Sequence, residues 1–508
     1  MRHDDATAPP GLDALLRSDA ELPRWDGAAP GITGLTADSR AVAPGFLFAA
    51  LPGARADGRA FIAQAVARGA AAVLAPSGTV WPEGVPPRPL LTAGDPRRAL
   101  ALLAAAFNGA QPGTVVAVTG TNGKTSTVDF LRQIWTLTGT HAASLGTLGL
   151  RAEGFPPGES LTTPDPVALH ATLAALARGG VAAAAMEASS HGIDQRRLDG
   201  VRLAAAGFTN LTRDHLDYHG TMEAYRAAKL RLFDTLLPPG AAAVAHTGME
   251  VTTLLALRDI AARRGLRLLT VGEGGDAIRL LSQRPTPDGQ VIELDVFGTR
   301  ESAVLALPGR FQADNVIVAA ALAVASGTEV SRVLAALPRL AGVRGRMELA
   351  ASLPNGAAVY VDYAHTPDAL ERLLAALRPH VASGARLHVL FGAGGDRDPG
   401  KRPLMGEAAA RGADVAWITD DNPRSEDPAA IRRAVLAGCP GGIDAGDRAG
   451  AIARAMSALR PGDVLAVAGK GHESGQTIGG VTHPFDDVSV VRGLADGVAP
   501  KARGMMLA

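Results

Sequence analysis

An apolar strand that runs directly into a glycine loop and then a helix constrains this chain more than any other feature. The segment VVAVTGTNGKTSTVDFLRQIW spans residues 115–135. Glycine permits the sharp turn between the strand and the helix. The second half of the segment places apolar side chains at helical spacing, at Val128, Leu131, Ile134 and Trp135. Because units of this kind build parallel sheets, the segment predicts an α/β fold.

The loop between this strand and helix has the composition of a phosphate-binding site. Gly120 and Gly123 let backbone N–H groups point at an anion beside a helix N-terminus. Lys124 can reach the β- and γ-phosphates of ATP, and the Thr125 hydroxyl can bind Mg²⁺. The Walker A motif is incomplete because Val118 replaces its leading glycine. A turn that binds nothing would leave the lysine and the hydroxyl unexplained, so we expect ATP to contact the whole loop: Gly120, Thr121, Asn122, Gly123, Lys124, Thr125 and Ser126.

Changes in pattern divide the 508 residues into three domains, as expected for a chain several times the size of one hydrophobic core. We interpret residues 1–94 as a small α/β domain that ends after the proline-rich stretch 81–89. Residues 95–342 alternate apolar runs with helical patterns, starting with a helix from Asp95, which predicts a central domain with a P-loop-type parallel sheet. The alternation restarts in residues 343–508, where we expect a C-terminal Rossmann-like domain.

Four predicted strands of the C-terminal domain each end in a polar loop. They span 357–361, 387–391, 415–419 and 464–468, and the loops that follow are DYAHTPDAL, GAGGDRDPGKR, DDNPRSEDP and GKGHESGQT. Ligands of open parallel sheets bind beyond the carboxyl ends of the strands. Ordinary helix-capping loops could explain one such end, but four together predict a single binding crevice.

The charge balance and the cysteine content exclude several classes of partner. Fifty Lys and Arg residues match fifty Asp and Glu residues, so there is no basic field that would hold a nucleic acid. The single cysteine, Cys439, excludes an intrachain disulfide. The N-terminus lacks a secretory pattern, and the longest apolar run, 316–325, is about half the length that spans a bilayer. We expect a cytoplasmic monomer with no membrane insertion and no nucleic acid partner.

Lysine is scarce in this chain, and its positions are informative. Only five of the 50 basic residues are lysine: Lys124, Lys229, Lys401, Lys470 and Lys501. A GC-rich genome would explain the preference for arginine, but four of the five lysines lie in motifs that carry candidate ligands. Since arginine does not supply a neutral amine, these lysines are candidates for chemistry that needs one.

Three residues of the central domain have the chemistry of a metal site. Glu187 ends the apolar run VAAAAME, and a carboxylate at a strand end beside a phosphate loop suits Mg²⁺. His215 offers a ring nitrogen, and Lys229 follows fourteen residues later in a helical segment. On residue type alone, a capping role for His215 and a solvated position for Lys229 are the commoner cases.

The order of the motifs resembles that of the Mur ligase family. The chain contains TGTNGKTS, MEASSHG, TNLTRDHLDYHG, AAK, LPGRFQADN, GVRGRME, DYAHTPDAL, DNPR and GKGHE in that order. The resemblance covers nearly the whole chain and is greatest to members that add meso-diaminopimelate to UDP-N-acetylmuramoyl-L-alanyl-D-glutamate. It implies an ATP-dependent, ADP-forming carboxylate–amine ligase that makes peptidoglycan precursors through an acyl phosphate. The implied substrates are ATP, the UDP-muramoyl dipeptide and meso-diaminopimelate.

The resemblance also implies a metal and carbamate centre. In the family, the lysine that matches Lys229 carries a carbamate formed from its amine and CO₂. That carbamate and the histidine matching His215 bind a second Mg²⁺, and Thr125 and Glu187 complete the expected magnesium ligands. The two ions would neutralise phosphate oxygens and the charge that develops at the acyl phosphate. Catalytic roles are accordingly expected for Lys124, Lys229, His215 and Glu187.

The remaining binding residues follow from the same resemblance. It places Asn315 near the adenine, Arg346 near the transferred phosphate and Asp362 near the ribose. The UDP substrate is expected at Ser39, Thr162, Thr163, Ser189, Gln195 and Arg197. Diaminopimelate is expected at Arg397, Asp421, Asn422, Pro423, Arg424, Gly469 and Glu473. An arginine fork suits the distal carboxylate of diaminopimelate, and lysine lacks that group, so the DNPR motif favours diaminopimelate.

Other interpretations of the sequence remain open. GAGGDR at 392–397 with Asp420 partly matches the dinucleotide fingerprint of NAD-dependent oxidoreductases, although Arg397 takes the place of the third glycine. A P-loop ATPase that drives transport or a conformational switch would use Lys124 but not the C-terminal loops. Within the ligases, a lysine-adding enzyme and a folylpolyglutamate synthetase-like enzyme are the alternatives. Residues 243–250, AVAHTGME, lack a run often found in the family, so no role is predicted for residues 240–300.

Overall fold

The protein has an α/β fold built around three main sheets. The structure, a computed structural model, describes residues 9–27, 29–53, 56–156, 161–286 and 289–497. These residues form sheets of four, ten and six strands and one two-stranded hairpin. Each of the two larger sheets has a hydrophobic core on either face. The predicted fold class is therefore confirmed.

The N-terminal sheet is the smallest of the three, and all its strands are parallel. The strands are β1 (Gly34–Thr36), β2 (Phe46–Ala49), β3 (Ala72–Pro76) and β4 (Leu90–Ala93), and the helices are α1 (Leu12–Leu16), α2 (Ile62–Ala67) and α3 (Pro96–Asn108). Neighbouring strands pair in the order β1-β2-β3-β4. Asp95 caps α3 by accepting a hydrogen bond from the Arg98 N–H, which confirms the helix start predicted there.

The central sheet extends from the phosphate-loop strand in both directions. Its strands are β5 (Thr114–Thr119), β6 (Ala142–Gly146), β7 (Gly149–Ala152), β8 (Ala183–Glu187), β9 (Leu203–Phe208), β10 (Ala242–His246), β11 (Arg267–Gly272), β12 (Ile278–Thr286), β13 (Gly289–Val296) and β14 (Thr299–Leu305). Their order is β14-β13-β12-β11-β10-β9-β5-β8-β6-β7. Strands β12, β13 and β14 form an antiparallel meander at one edge. The meander begins in the last part of residues 240–300, the region for which the sequence predicted no role.

Helices cover both faces of the central sheet. They are α4 (Lys124–Leu137), α5 (Pro166–Arg178), α6 (Ser190–Asp194), α7 (Leu216–His219), α8 (Met222–Arg231), α9 (Val251–Arg264), α10 (Arg310–Ala325) and α11 (Val330–Ala336). The four apolar side chains predicted for one face of α4 are all at most 2% exposed. The longest apolar run lies in α10, which packs against α4 and β10. No helix in the described part of the chain is long and apolar enough to cross a membrane.

The C-terminal sheet brings the four predicted polar loops side by side. Its elements are β15 (Glu348–Ser352), β16 (Ala358–Asp362), α12 (Pro367–Leu377), β17 (Leu387–Phe391), α13 (Lys401–Gly412), β18 (Val415–Thr419), α14 (Pro428–Leu436), β19 (Ile443–Gly446), α15 (Arg448–Ser457), β20 (Val464–Ala468), the hairpin of β21 (Gly475–Ile478) and β22 (Val481–Pro484), and α16 (Asp487–Ala495). Strands β16, β20, β17 and β18 are parallel neighbours in that order. Three of the four predicted strands have the predicted bounds, and β16 begins and ends one residue later than the predicted 357–361.

A candidate active site between the central and C-terminal domains

The loop between β5 and α4 depends on glycine at two positions. Gly120 has a φ of 149° and Gly123 a φ of 84°, which only glycine adopts freely. A Cβ at Gly123 would lie 2.3 Å from Oδ1 of Asn315 on α10. The Lys124 amine donates to the carbonyl oxygens of Gly120 (2.8 Å) and Thr121 (2.9 Å). The fold thus places Asn315 directly against the predicted phosphate loop.

The same loop also contacts the C-terminal domain. The Asn122 N–H donates to Asn210 Oδ1 (2.9 Å), and Asn122 Nδ2 donates to Asp368 Oδ2 on α12 (3.3 Å). Arg346 Nη2 donates to Thr125 Oγ1 at 3.2 Å. The next residue of the loop, Ser126, is buried. The predicted phosphate site therefore lies in a cleft to which both domains contribute.

Lys229 reaches the loop from α8. It is 1% exposed, its amine donates to the Gly120 carbonyl at 2.9 Å, and it lies 4.6 Å from the centre of the Tyr225 ring. Burial lowers the pKa of the Lys229 amine well below its usual value, and the Lys124 charge lowers it further, against the opposite effect of Asp214. Lys229 is therefore not a solvated helix lysine but a buried residue, and its burial shifts the amine toward the neutral form.

Glu187 ends β8 beside the loop, and the turn of the β6–β7 hairpin donates hydrogen bonds to its carboxylate. Its Oε1 accepts a hydrogen bond from the Thr147 N–H (2.8 Å), and its Oε2 accepts one from the Thr147 hydroxyl (3.2 Å). A Cβ at Gly146 would lie 2.1 Å from Oε1, so the hairpin needs glycine to approach this closely. The sequence did not point to Thr147, because no local pattern predicts a hydrogen bond between residues that lie 40 positions apart in the chain.

His215 lies at the start of α7, with a left-handed φ of 53°. Its ring meets the His191 ring edge-on at 4.8 Å between centroids and lies 6.3 Å from the Tyr225 ring. Burial lowers the pKa of His215, and the Lys124 and Lys229 charges add to that effect while Asp214 opposes it. The ring is therefore neutral near pH 7 and has a lone pair to offer a metal ion.

The residues predicted to bind magnesium fit that ion only together with other oxygen atoms. In the described part of the chain, no group of three or more His, Cys, Asp or Glu side chains could hold a metal by itself. Thr125 and Glu187 offer a hydroxyl and a carboxylate, which are hard oxygen ligands. Magnesium is commonly held by one or two such groups plus substrate phosphates and water. The donor set therefore suits an ion that arrives with ATP.

Arg346 and Asp362 bring the C-terminal domain to the nucleotide side of the cleft. The Arg346 guanidinium lies over the Tyr363 ring, 4.5 Å from its centre, and this contact orients it toward the loop. The Asp362 carboxylate accepts hydrogen bonds from two backbone N–H groups at 2.6 and 2.7 Å, and burial raises its pKa. Its expected contact with ribose stays a prediction, since both oxygens already serve the backbone.

A cavity of about 590 Å³ lies between the N-terminal and central domains. Gln195 and Arg197 line one side of it, and residues 35–38 line the other. Arg197 donates to the Thr163 carbonyl (2.6 Å) and to Gln195 Oε1 (2.8 Å). Ser39 follows the lining segment, and its hydroxyl donates to Gln64 (2.9 Å). Two of the six residues predicted for the UDP substrate thus line this cavity, and Ser39 directly follows a lining segment.

The remaining hydroxyls of that predicted set join this cavity to the cleft. The Thr163 hydroxyl donates to the carbonyl of Glu187 (2.9 Å) and accepts from the Ser189 N–H (3.0 Å). The Thr162 hydroxyl shares a hydrogen bond with that of Thr147 (3.1 Å). A chain of hydrogen bonds through Thr163 therefore links Arg197, which lines the cavity, to Glu187 of the predicted metal site.

The residues predicted for the amino-acid substrate surround Lys470, which the sequence did not place in that site. Lys470 is fully buried, and its amine donates to Asn422 Oδ1 (2.9 Å) and to the Gly475 carbonyl (2.8 Å). It lies 3.3 Å from Glu473 Oε2 and 3.5 Å from Asp421 Oδ1. The scarcity of lysine in this chain was the sequence feature that could have pointed to Lys470.

Two arginines lie side by side next to this cluster. A Cβ at Gly394 would lie 2.8 Å from Arg424 Nη1 and 3.8 Å from Arg397 Cγ. Arg424 follows the buried Pro423, and its Nη1 donates to the Gly395 carbonyl at 2.6 Å. In the described ranges neither arginine forms an ion pair. Both guanidinium groups therefore keep donors for an external carboxylate.

The geometry does not support the dinucleotide interpretation of GAGGDR. Residues 392–400 form a long loop of bends and turns, and α13 begins only at Lys401. Asp420, the candidate ribose acid, instead pairs with Arg432. The tight strand–turn–helix that a pyrophosphate needs is therefore missing from this segment.

A P-loop-type sheet that faces a second α/β domain across a cleft holding the predicted phosphate loop is the arrangement expected of an ATP-dependent amide-bond ligase. The chain belongs to the Mur ligase family. Residues 31–108 match the model of the Mur ligase family catalytic domain, residues 118–323 that of the Mur ligase middle domain, and residues 345–471 that of the Mur ligase glutamate ligase domain.

Individual relatives span nearly the whole chain. A Caulobacter vibrioides protein named UDP-N-acetylmuramoyl-L-alanyl-D-glutamate--2,6-diaminopimelate ligase is 54% identical over 92% of this chain and 96% of its own. A protein of the same name from Agrobacterium fabrum is 50% identical over 97% of each chain. A solved structure of a ligase of that name is 32% identical, with a TM-score of 0.69, and covers 96% of this chain and 99% of its own.

Proposed function

We propose that this chain adds meso-diaminopimelate to UDP-N-acetylmuramoyl-L-alanyl-D-glutamate, with conversion of ATP to ADP and phosphate. The reaction is a step of peptidoglycan precursor synthesis, and we place it in the cytoplasm. The observation that carries the proposal is the cleft in which the phosphate loop contacts the buried Lys229 on one side and Arg346 and Asp368 of the C-terminal domain on the other. The curated relatives of 50–54% identity bear names that specify diaminopimelate.

The first step activates the substrate carboxylate. Backbone N–H groups of the 120–126 loop and the Lys124 amine bind the β- and γ-phosphates, and Arg346 faces them from the C-terminal domain. An oxygen of the D-glutamyl γ-carboxylate attacks the terminal phosphorus, the bond to ADP breaks, and an acyl phosphate forms. The phosphate is the leaving group that a free carboxylate lacks.

Magnesium supplies charge neutralisation to this step when it is bound. Thr125 and Glu187 would hold one ion, and His215 with a carbamate on Lys229 would hold a second. The neutral Lys229 amine adds to CO₂, so that a nitrogen–carbon bond forms and the nitrogen loses a proton. The burial of Lys229 beside the phosphate loop supports this proposal, because a lowered pKa leaves the amine nucleophilic.

The second step forms the amide bond. The diaminopimelate amine attacks the acyl carbon, loses a proton, and displaces phosphate. Arg424 and Arg397 would bind the distal carboxylate, and Asp421 and Glu473 would bind the distal ammonium. Lysine would meet the same two carboxylates but would leave the arginines without a partner, which disfavours it.

Phosphate release with defined substrates tests the proposal. ATP and the UDP-muramoyl dipeptide are supplied with meso-diaminopimelate, with L-lysine, or with no amino acid. We expect rapid release only with diaminopimelate. Release that needs no amino acid would instead indicate an ATPase, and faster release with lysine would identify a lysine-adding enzyme.

A further inference from the structure

A buried ion pair braces the C-terminal domain beside the predicted amino-acid site. Arg448 begins α15, and Asp487 begins α16. Arg448 Nε and Nη2 each donate to one oxygen of the Asp487 carboxylate at 2.7 Å, and Nη2 also donates to the Ala468 carbonyl at 2.9 Å. Both side chains are 0% exposed. Arg448 is thereby fixed to the last residue of β20, immediately before the GKGHE loop.

The third nitrogen of this guanidinium points toward the site. Arg448 Nη1 is buried and has no hydrogen-bond partner among the described residues. Gly469 has a φ of 113°, and a Cβ there would lie 3.9 Å from Nη1 and 2.8 Å from Asp421 Oδ2. Nη1 and the Asp421 carboxylate therefore both lie within 4 Å of one point in this turn. Buried donors are nearly always paired, so this exception needs an explanation.

The electrostatics connect Arg448 with the same carboxylates. Burial lowers the pKa of Arg448, but Asp487 and then Asp421 and Glu473 raise it, and the net shift is upward. Lys470 lies 3.5 Å from the other oxygen of Asp421. Lys470 therefore lies near one oxygen of the Asp421 carboxylate, and the buried Arg448 charge acts on the same carboxylate from beyond ion-pair distance.

We propose that Arg448 is a positioning residue for the amino-acid substrate, because its bond to the Ala468 carbonyl holds the Gly469 turn beside the Asp421 carboxylate, in the geometry that receives an ammonium group. The proposal rests on the proposed function of this loop cluster. Arg448 does not touch the substrate, since its guanidinium is buried. Its effect therefore falls on the affinity for the amino acid and not on the nucleotide or the UDP substrate.

Arg448→Lys tests this role with the charge conserved. A lysine amine can still pair with Asp487, but it lacks the second arm that donates to the Ala468 carbonyl just before the Gly469 turn. We expect the KM for diaminopimelate to rise about tenfold, the usual worth of one hydrogen bond to a charged group. The KM for ATP, the KM for the UDP-muramoyl dipeptide and kcat at saturating diaminopimelate should stay at wild-type values.

A second variant separates positioning from stability. The double change Arg448→Met with Asp487→Leu replaces the buried pair by apolar side chains of similar volume, which commonly leaves stability unchanged or higher. We expect the same rise in KM for diaminopimelate with an intact thermal transition. Arg231→Lys is the matched control, because Arg231 makes a bidentate pair with Asp199 in the central domain (2.7 and 3.0 Å). It should lower Tm and leave the KM for diaminopimelate unchanged.

The outcomes divide clearly. A wild-type KM for diaminopimelate in Arg448→Lys, or in the folded double variant, would overturn the proposal. An equal rise in the KM for ATP, or loss of folding in both variants, would assign Arg448 a purely structural role and would also overturn it. Failure of the proposed function would appear separately, as wild-type protein that releases no phosphate in response to diaminopimelate.

Discussion

Two buried lysines, one on each side of the cleft, lie in opposite surroundings. Lys470 lies 3.3 Å from Glu473 and 3.5 Å from Asp421, and donates to Asn422. Lys229 donates to one backbone carbonyl and lies over a tyrosine ring. The C-terminal domain therefore compensates its buried charge with carboxylates. The central domain does not, and burial lowers the pKa of Lys229.

The difference shows that burial alone does not make a lysine reactive. Compensated by carboxylates, Lys470 is a structural cation whose three N–H donors meet acceptors in different directions, which a planar guanidinium does not reproduce. Among the described residues, Lys229 has no carboxylate within ion-pair distance, Asp214 acts on it only from farther away, and its amine remains available for chemistry. Both positions thus need lysine for different reasons, in a chain that otherwise prefers arginine. Lys501 lies outside the described residues.

Replacement of Lys229 should have the largest effect on turnover. Lys229→Ala removes the amine that we propose carries the carbamate, so we expect kcat to fall by roughly 10²–10³-fold or more, as when a group that stabilises transition-state charge is lost. Short-chain carboxylates, which mimic the missing anion, should restore part of the activity. Initial rates with and without added formate or acetate measure both effects.

Lys229→Arg is the matched comparison for that prediction. Arginine places a permanent positive charge at this position and does not form a carbamate, so the variant should be as inactive as alanine and should not respond to carboxylates. An active arginine variant would show that Lys229 acts as a cation, as Lys470 does, and the contrast between the two lysines would disappear.

Methionine at each lysine position should separate the two environments by stability. Lys470→Met leaves the carboxylates of Asp421 and Glu473 without their buried partner, and we expect a loss of about 3 kcal/mol or more in the free energy of unfolding. Lys229→Met removes an amine that has no carboxylate partner, so its stability should equal or exceed that of the wild type. Chemical denaturation of both variants measures the difference, and equal losses would contradict the comparison.

Loss of Arg424 should change substrate preference. Arg424→Ala removes one bidentate contact to the distal carboxylate, worth about 1.5–3 kcal/mol, so kcat/KM for diaminopimelate should fall roughly 10- to 150-fold. The kcat/KM for lysine should change much less, so the preference for diaminopimelate over lysine should become smaller. Arg433→Ala, at an exposed arginine on α14, is the control. An unchanged ratio between the two amino acids would mean that Arg424 only braces the loop through Gly395.

The smallest expected effect concerns the support of Glu187. Thr147→Val removes the hydroxyl that donates to Glu187 Oε2 but keeps the backbone N–H bond to Oε1. We expect kcat to fall about tenfold, since one hydrogen bond to a charged group is lost. Thr172→Val, which removes an exposed hydroxyl bond on α5, should have no effect. If kcat changes no more in Thr147→Val than in this control, the Thr147 hydroxyl does not support the function of Glu187.

The sequence predicted those parts of the molecule that depend on local pattern. The strand ends of the C-terminal sheet and the apolar face of α4 follow from periodicity, and the structure confirms them. The roles assigned to individual site residues remain predictions, although the fold brings most of them together. No local sequence pattern predicted the contacts between distant segments. The hydrogen bonds from Thr147 to Glu187 and the approach of Arg448 to Gly469 both depend on how these segments pack. The β12–β14 meander was also unpredicted.

The route of one oxygen atom tests the central claim most directly. The UDP-muramoyl dipeptide is prepared with ¹⁸O in the γ-carboxylate of its D-glutamyl residue and incubated with ATP and diaminopimelate. If the carboxylate attacks the terminal phosphorus and the amine then displaces phosphate, each released phosphate carries one ¹⁸O atom, which mass spectrometry detects. Label that stays wholly in the peptide product would contradict the acyl-phosphate route and the account of the cleft built on it.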